Sequence, residues 1–204
     1  MPIPRRRAYR RMDVDERRAQ VLARATELFG EHGYAELSMA RIAREAGISK
    51  ALLYHYFPSK RALFAAALTD AATELRGLTE PDESASPAEQ LSGALAAYLA
   101  WVDAHRGAFA KLMRSLAVTE VREIVEAVRA VTAQRIVGGL GPQADTPAVR
   151  TAVDGWLWSI DGSVLSWIEQ RRALSADELR GILLAGLAGA LAGAGAPLAA
   201  EPVV

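Results

Sequence analysis

The sequence predicts an all-α fold, with an N-terminal domain of three helices followed by a C-terminal helical bundle. Apolar side chains recur every three or four residues along most of the chain, which is the spacing of one face of an α-helix. No segment shows the strict alternation of a half-buried β-strand. The chain has 204 residues and 51% of them are apolar, so a substantial buried core is expected.

Two short helices joined by a glycine turn are predicted between residues 38 and 60. Ser38 can cap the first helix, since serine accepts a hydrogen bond from a backbone N–H that the first turn leaves free. Gly47 is placed to end it, because glycine adopts the left-handed conformation without steric cost. Ser49 opens the second helix and Pro58 stops it. This is the helix-turn-helix arrangement, whose second helix lies in the DNA major groove.

The second of these helices carries side chains suited to DNA. A cation suits a phosphate or a guanine edge, a small residue permits close approach, and planar polar side chains can donate hydrogen bonds. A further helix starts at Ser59 and Lys60, and its free N–H groups would face phosphate. The pattern alone fits an ordinary pair of surface helices about as well. The predicted DNA contacts are Ser38, Ser49, Lys50, Ala51, Tyr54, His55, Tyr56 and Lys60.

A longer string of characteristic residues extends around this motif, from Arg18 to Phe64. It includes Val21, Leu22, Ala25, Leu28, Phe29, Gly33, Tyr34, Ile42, Ala43, Ala46, Gly47, Ile48, Leu53, Phe57 and Leu63. This string resembles the TetR (tetracycline-repressor) family of bacterial transcription regulators. The resemblance implies a dimeric, repressor-like protein with a small-molecule sensor in its C-terminal domain. Ala51 stands where the family often has glycine, and Tyr56 where it often has histidine.

The charges are unevenly distributed, although the chain has no formal net charge. Residues 1–60 contain twelve Lys and Arg against seven Asp and Glu, which is an excess of positive charge. Residues 61–204 therefore carry an equal excess of negative charge. This asymmetry is expected when only one end of a protein meets nucleic acid. Five arginines and no acid lie in residues 1–11. We interpret residues 1–14 as a flexible basic arm on DNA, with a solvated tail as the alternative.

The remainder divides into a helix-turn-helix domain over residues 15–62 and a ligand-binding and dimerisation domain over residues 63–204. Helices are predicted for residues 58–76, 91–107, 109–116, 121–136 and 147–172, and for a last segment that Ser175 and Glu178 begin as a capping box. Residues 182–200 carry no charge but consist mostly of Ala and Gly. Because these residues contribute little transfer energy, we expect closely packed helix there, with close approaches at Gly181, Gly186 and Gly189, and no membrane span.

The helix predicted from Pro147 is apolar on two opposite sides, so we expect burial of both. One side would pack within the chain and the other against a second copy, which predicts a homodimer. At 100° per residue, the first side carries Trp156, Ile160, Ser163 and Trp167. The second side carries Asp154, Trp158, Asp161 and Leu165.

A small-molecule pocket is predicted within the bundle, since aromatic and Met side chains with few polar groups are typical of such sites. Ordinary core packing is the alternative for each aromatic residue. Carboxylates on an apolar helix are costly unless paired. We therefore expect Asp154 or Asp161 to meet Arg135, Arg150 or a cationic ligand. The predicted lining residues are Tyr98, Trp101, Phe109, Met113, Trp158 and Asp161.

Nothing in the sequence predicts catalysis, a metal site or a cofactor. His32, His55 and His105 do not lie at metal-binding spacing, and no phosphate loop or nucleophile motif occurs. The chain has no cysteine, which is typical of the reducing cytoplasm, and we expect a cytoplasmic protein. Two functions fit these observations. One is a repressor released from a near-palindromic, double-stranded DNA operator by an unidentified small-molecule effector, and the other is a constitutive dimeric DNA-binding protein.

Overall fold

The structure, a computed structural model, describes residues 14–80, 84–170 and 173–196. These residues form α-helices, two short 3₁₀ turns and no strand, which confirms the all-α prediction. The helices are α1 (Val14–His32), α2 (Met39–Glu45), α3 (Lys50–Tyr56), α4 (Lys60–Leu78), α5 (Pro87–Ala104), α6 (Arg106–Arg114), α7 (Thr119–Gly139), α8 (Pro147–Glu169) and α9 (Ala176–Gly193). Residues 1–13 of the basic arm predicted for residues 1–14 lie outside the described residues.

The predicted helix caps are confirmed. Ser38 Oγ accepts a hydrogen bond from the Arg41 N–H at 3.2 Å, and Ser49 Oγ accepts one from the Leu52 N–H at 3.1 Å. Gly47 has a φ of 66°, in the left-handed region where glycine alone is unstrained. The capping box at the start of α9 is present as predicted. These local interactions fix where α2, α3 and α9 begin.

The first core joins α1, α2, α3 and the first half of α4. An aromatic group lies at its centre, where the Phe64 ring is 4.9 Å from both Phe29 and Tyr34. Three buried residues of α7 complete this core: Val121, Ile124 and Val125. We call α1 to α3 with the first half of α4 the head, and the rest the body. The predicted boundary after residue 62 therefore falls inside α4.

The second core lies in the body and is built mainly from α5, α8 and α9. Trp156, Ile160 and Trp167 are buried in it, which confirms the prediction that this side of α8 packs within the chain. The indole of Trp156 donates to the Leu183 carbonyl at 2.7 Å and thereby joins α8 to α9. On the opposite side of α8, Trp158 remains 44% exposed.

The glycines of α9 lie beside open space. A Cβ placed on Gly181 or Gly189 would meet no atom of this chain within 4 Å. At Gly186 it would meet only the Trp156 ring, at 3.8 Å. The expected close approach of a neighbouring backbone does not occur within one chain. No helix of the described residues has the length and apolar character needed to span a bilayer.

Candidate nucleic-acid interface and effector site

Helix α3 presents one side to the first core and the other to solvent. Leu53 is fully buried and anchors the inner side, and Phe57 at the C-terminal end is 2% exposed. The outer side therefore carries the exposed residues Lys50, Ala51, Tyr54 and His55. The Lys50 ammonium lies 5.7 Å from the Tyr54 ring centre, so the cation and the phenol share one patch. The patch combines a cation, a small residue and planar polar side chains, which are residue types that can contact base edges.

Two further residues of the predicted interface, Ser49 and Tyr56, border this patch, and Ser38 is exposed at the start of α2. Ser38 and Ser49 use their hydroxyl oxygens as caps, but each hydroxyl retains one hydrogen that can be donated to phosphate. Tyr56 is half-buried and packs against the first core, with its ring 5.6 Å from that of His55. Six of the eight predicted residues thus lie on or beside the outer side of α3, and Ser38 is exposed at the start of α2.

Lys60 is the exception, because its ammonium group is directed into the head. The Nζ atom donates to the carbonyl oxygens of Tyr34 and Leu37, each at 3.1 Å. It also lies 4.1 Å from the centre of the Tyr34 ring. A cation with two carbonyl partners and an aromatic face has an internal role, so we leave Lys60 out of the proposed interface.

In the body, three of the predicted effector-site residues meet around a cation that the sequence analysis did not identify. Arg129 of α7 forms an ion pair with Asp161, and its guanidinium carbon lies 3.7 Å from the Trp158 ring centre. The Tyr98 hydroxyl donates to Asp161 Oδ1 at 3.5 Å. We call these four residues the Arg129 cluster.

The expected pairing of Asp161 within the protein is confirmed, but the expected partners are wrong. Arg135 donates to the Thr79 carbonyl at 2.9 Å. Arg150 binds Asp145 through two hydrogen bonds, of 2.6 and 2.9 Å. The sequence carried a weak signal for the true partner, since Arg129 is an isolated cation between the apolar residues of α7.

Burial sets the electrostatics of the Arg129 cluster. Only 10% of the Arg129 side chain and 18% of the Asp161 side chain are exposed. Burial raises the pKa of Asp161, and the nearby guanidinium opposes that rise. Burial and the Asp161 charge raise the pKa of Tyr98 well above its ordinary value, so its hydroxyl stays a donor. Among the described residues, the Nη1 atom of Arg129 is buried without any hydrogen-bond acceptor.

The other three predicted lining residues have partners elsewhere. Trp101 donates its indole N–H to Glu74 at 3.2 Å. Phe109 is buried in the second core, and Met113 packs against that core while half-buried. For these three residues the structure shows ordinary packing and pairing.

Two cavities among the described residues lie elsewhere, one within the body and one where the body meets the head. One, of about 530 Å³, is bordered by α5 and the start of α9, and its lining includes Leu99, Asp103, Trp167 and Arg180. The other, of about 360 Å³, lies between α4 and α7 and includes Arg61, Arg76, Glu123 and Val131 in its lining. Neither cavity is lined by any of the six predicted effector-site residues.

The helix-turn-helix head and the helical body define a DNA-binding transcriptional regulator. Two family models match the chain: "Bacterial regulatory proteins, tetR family" over residues 21–67, and "Tetracyclin repressor-like, C-terminal domain" over residues 87–189. The second match alone covers half of the chain. The chain belongs to the TetR family of bacterial regulators.

Individual relatives agree with this assignment. The chain is 37% identical over 110 residues to the transcriptional regulator HbdR of Aromatoleum sp. (strain CIB), which is 50% of this chain and 45% of HbdR. It is 47% identical over 58 residues to the transcriptional activator FasR of Mycolicibacterium smegmatis, which is 28% of this chain and 26% of FasR. The chain thus spans less than half the length of these curated relatives in each match.

Solved structures of regulators match over a larger part of the chain. A tetR-family transcriptional regulator from Streptomyces coelicolor is 32% identical with a TM-score of 0.74, and the match covers 91% of this chain and 84% of that one. A TetR-like transcriptional regulator from Rhodococcus sp. RHA1 is 26% identical with a TM-score of 0.63, covering 90% and 100%.

Proposed function

We propose that this chain is a cytoplasmic, homodimeric repressor that binds a near-palindromic DNA operator and is released by a small-molecule effector. The observation that carries the DNA-binding part is the exposed side of α3, held outward by the buried Leu53. The proposed contacts of each copy are Ser38, Ser49, Lys50, Ala51, Tyr54, His55 and Tyr56. Two such surfaces, roughly 34–36 Å apart, would read successive major grooves on one face of the duplex.

The outer faces of α8 and α9 support the dimer. Trp158 and Ile182 are 44% and 55% exposed, and large apolar side chains at this exposure favour a partner surface. The open space beside Gly181 and Gly189 leaves room for helices of a second copy to approach closely. A twofold arrangement of these helices would bury the same patch on both copies.

Substitution of Lys50 tests the DNA interface. Lys50→Met keeps the aliphatic stem but removes the cation, and we expect operator affinity to fall by roughly 1–3 kcal/mol if the ammonium reads a base edge. The DNA is the fragment upstream of the protein's own gene, with the bound site located by footprinting. Arg122→Met, which removes an exposed cation from α7, is the control and should bind like the parent. Equal affinities for Lys50→Met and the parent would contradict the proposed role of α3.

The effector part rests on the Arg129 cluster. A buried guanidinium nitrogen without an acceptor is costly, and an oxygen atom of a ligand would satisfy it. A ligand that binds only the folded protein raises its melting temperature, so a thermal-shift screen of small organic molecules can find it. The stabilising compound should also displace the protein from the operator. Arg129→Met should abolish both effects of that compound.

The second candidate function is constitutive DNA binding by a dimer without an effector. It is favoured by Trp101, Phe109 and Met113, which are engaged in packing and pairing. The same screen distinguishes the two functions. If no compound raises the melting temperature or weakens operator binding, the constitutive function is correct.

A further inference from the structure

Two acidic residues at the start of α7 connect the body to the head. Glu120 accepts a hydrogen bond from the hydroxyl of Tyr34, which lies in the turn between α1 and α2. One turn further along α7, Glu123 accepts a hydrogen bond of 2.8 Å from Arg61 of α4. Both partners belong to the head, and both acids project from one helix of the body. We call these two contacts the head–body junction.

Tyr34 is fixed firmly within the head. It is only 4% exposed, and its ring contacts Phe29 and Phe64 in the first core. Its carbonyl oxygen accepts a hydrogen bond from Lys60 at 3.1 Å, and its ring faces the same ammonium group. A displacement of the Tyr34 hydroxyl therefore cannot be absorbed by the side chain alone. It requires the head to move with it.

The two junction contacts differ in strength. Arg61 and Glu123 are 46% and 50% exposed, so water screens their ion pair and its contribution is small. The contact between Tyr34 and Glu120 is partly buried, and burial with the Glu120 carboxylate raises the pKa of the tyrosine. The hydroxyl thus remains protonated and donates to a charged acceptor, which makes the stronger hydrogen bond.

We infer that Glu120 is a positioning residue for operator binding, acting through Tyr34. Together with the α7 side chains in the first core, its carboxylate holds the head in one orientation relative to the body, and hence sets the separation of the two α3 helices in the dimer. This inference rests on the proposed dimeric operator binding. A dimer engages both half-sites only if its heads are held at the matching distance. Loss of the contact should weaken binding to the full operator while leaving each head able to bind one half-site.

A double-mutant cycle tests the inference. Tyr34→Phe removes one oxygen and keeps the ring, while Glu120→Ala removes the acceptor. Each should lower affinity for the full operator by about tenfold, within the usual range for coupling between sites. The double variant should be no weaker than the single variants, because both remove the same contact. Affinity for a fragment with one half-site should change by less than about twofold, since each head keeps its own structure.

Two further variants serve as controls. Glu120→Gln retains an acceptor oxygen and should restore most of the operator affinity. Glu169→Ala removes an exposed carboxylate that pairs with Arg114 of the body at 3.0 Å, and it should not affect DNA binding. If Glu120→Ala fails to fold, the operator affinities of Tyr34→Phe and Glu120→Gln can still be compared with that of the parent.

The contrary outcomes are distinct. Lower melting temperatures with unchanged operator affinity would mean that the contact only stabilises the fold, and would overturn the inference. Equal losses of affinity for the full operator and for the half-site fragment would overturn it too, because the substitution would then have altered the DNA-binding surface of each head. A parent protein that binds no footprinted site would instead refute the proposed function, and the inference would fall with it.

Discussion

Replacing each of the two lysines of the head tests whether Lys60 has an internal role and whether Lys50 belongs to the proposed DNA interface. Lys60→Met would remove two hydrogen bonds of 3.1 Å to carbonyl oxygens and a ring contact at 4.1 Å, while keeping the aliphatic stem. Hydrogen bonds to a charged group contribute roughly 1.5–3 kcal/mol each. Because Lys60 is half-buried, water reaches part of the group. We therefore expect a loss of about 2–4 kcal/mol in the free energy of unfolding.

The matched variant is Lys50→Met, whose exposed ammonium lies 5.7 Å from the centre of the Tyr54 ring. We expect its free energy of unfolding to stay within about 0.5 kcal/mol of the parent. Urea denaturation measures both, and with a slope of roughly 2–3 kcal/mol per molar urea the Lys60→Met midpoint should fall by about 1 M. Operator affinity, measured where both variants are folded, should fall more for Lys50→Met. An unchanged midpoint for Lys60→Met, together with uniformly weaker DNA binding, would refute the internal role and favour a phosphate contact.

Three other predictions concern stability and are checked by urea denaturation. Gly30→Leu should lower the free energy of unfolding by about 1–3 kcal/mol, because a Cβ there would lie 3.0 Å from the Ala108 methyl group of α6. Its control, Gly93→Ala, places a methyl group in open space and should raise the free energy of unfolding by about 0.5–1 kcal/mol. Asp161→Ala should cost roughly 3–5 kcal/mol, since it leaves the buried Arg129 without its carboxylate. Hydrogen bonds from the backbone and side chain of the α9 cap hold the pKa of Glu178 below its usual range. Its contribution is therefore present at neutral pH and lost as the pH falls through that lowered value, so the midpoints of the parent and Glu178→Ala should converge once the pH lies below the usual titration range of glutamate.

The features that the sequence predicted correctly are local ones. Ser38, Gly47 and Ser49 act on backbone groups within a few residues, so their pattern in the sequence is enough to place α2 and α3. The same logic could have identified the capping box of Ser86 and Glu89 at the start of α5, which we missed. Side-chain oxygens at this spacing reach the free N–H groups of the first turn wherever they occur.

The contacts that the sequence could not predict join residues far apart in the chain. Lys60 has the same local context as a phosphate-binding lysine, and only the fold brings the carbonyls of Tyr34 and Leu37 to it. The partner of Asp161 is separated from it by 32 residues, and helical spacing cannot choose among arginines at that distance. The prediction that the carboxylate needs a partner followed from the cost of burial, but its identity depends on how α7 and α8 pack.

The sharing of the first core between head and body limits how this regulator can be recombined. The first core of the head includes three side chains of α7: Val121, Ile124 and Val125. A chimera that joins residues 14–78 to the body of another protein would lack these three side chains. On the proposed interface, DNA specificity would be exchanged more readily by substituting the exposed residues of α3 than by transplanting the whole head, because these substitutions leave the shared core intact.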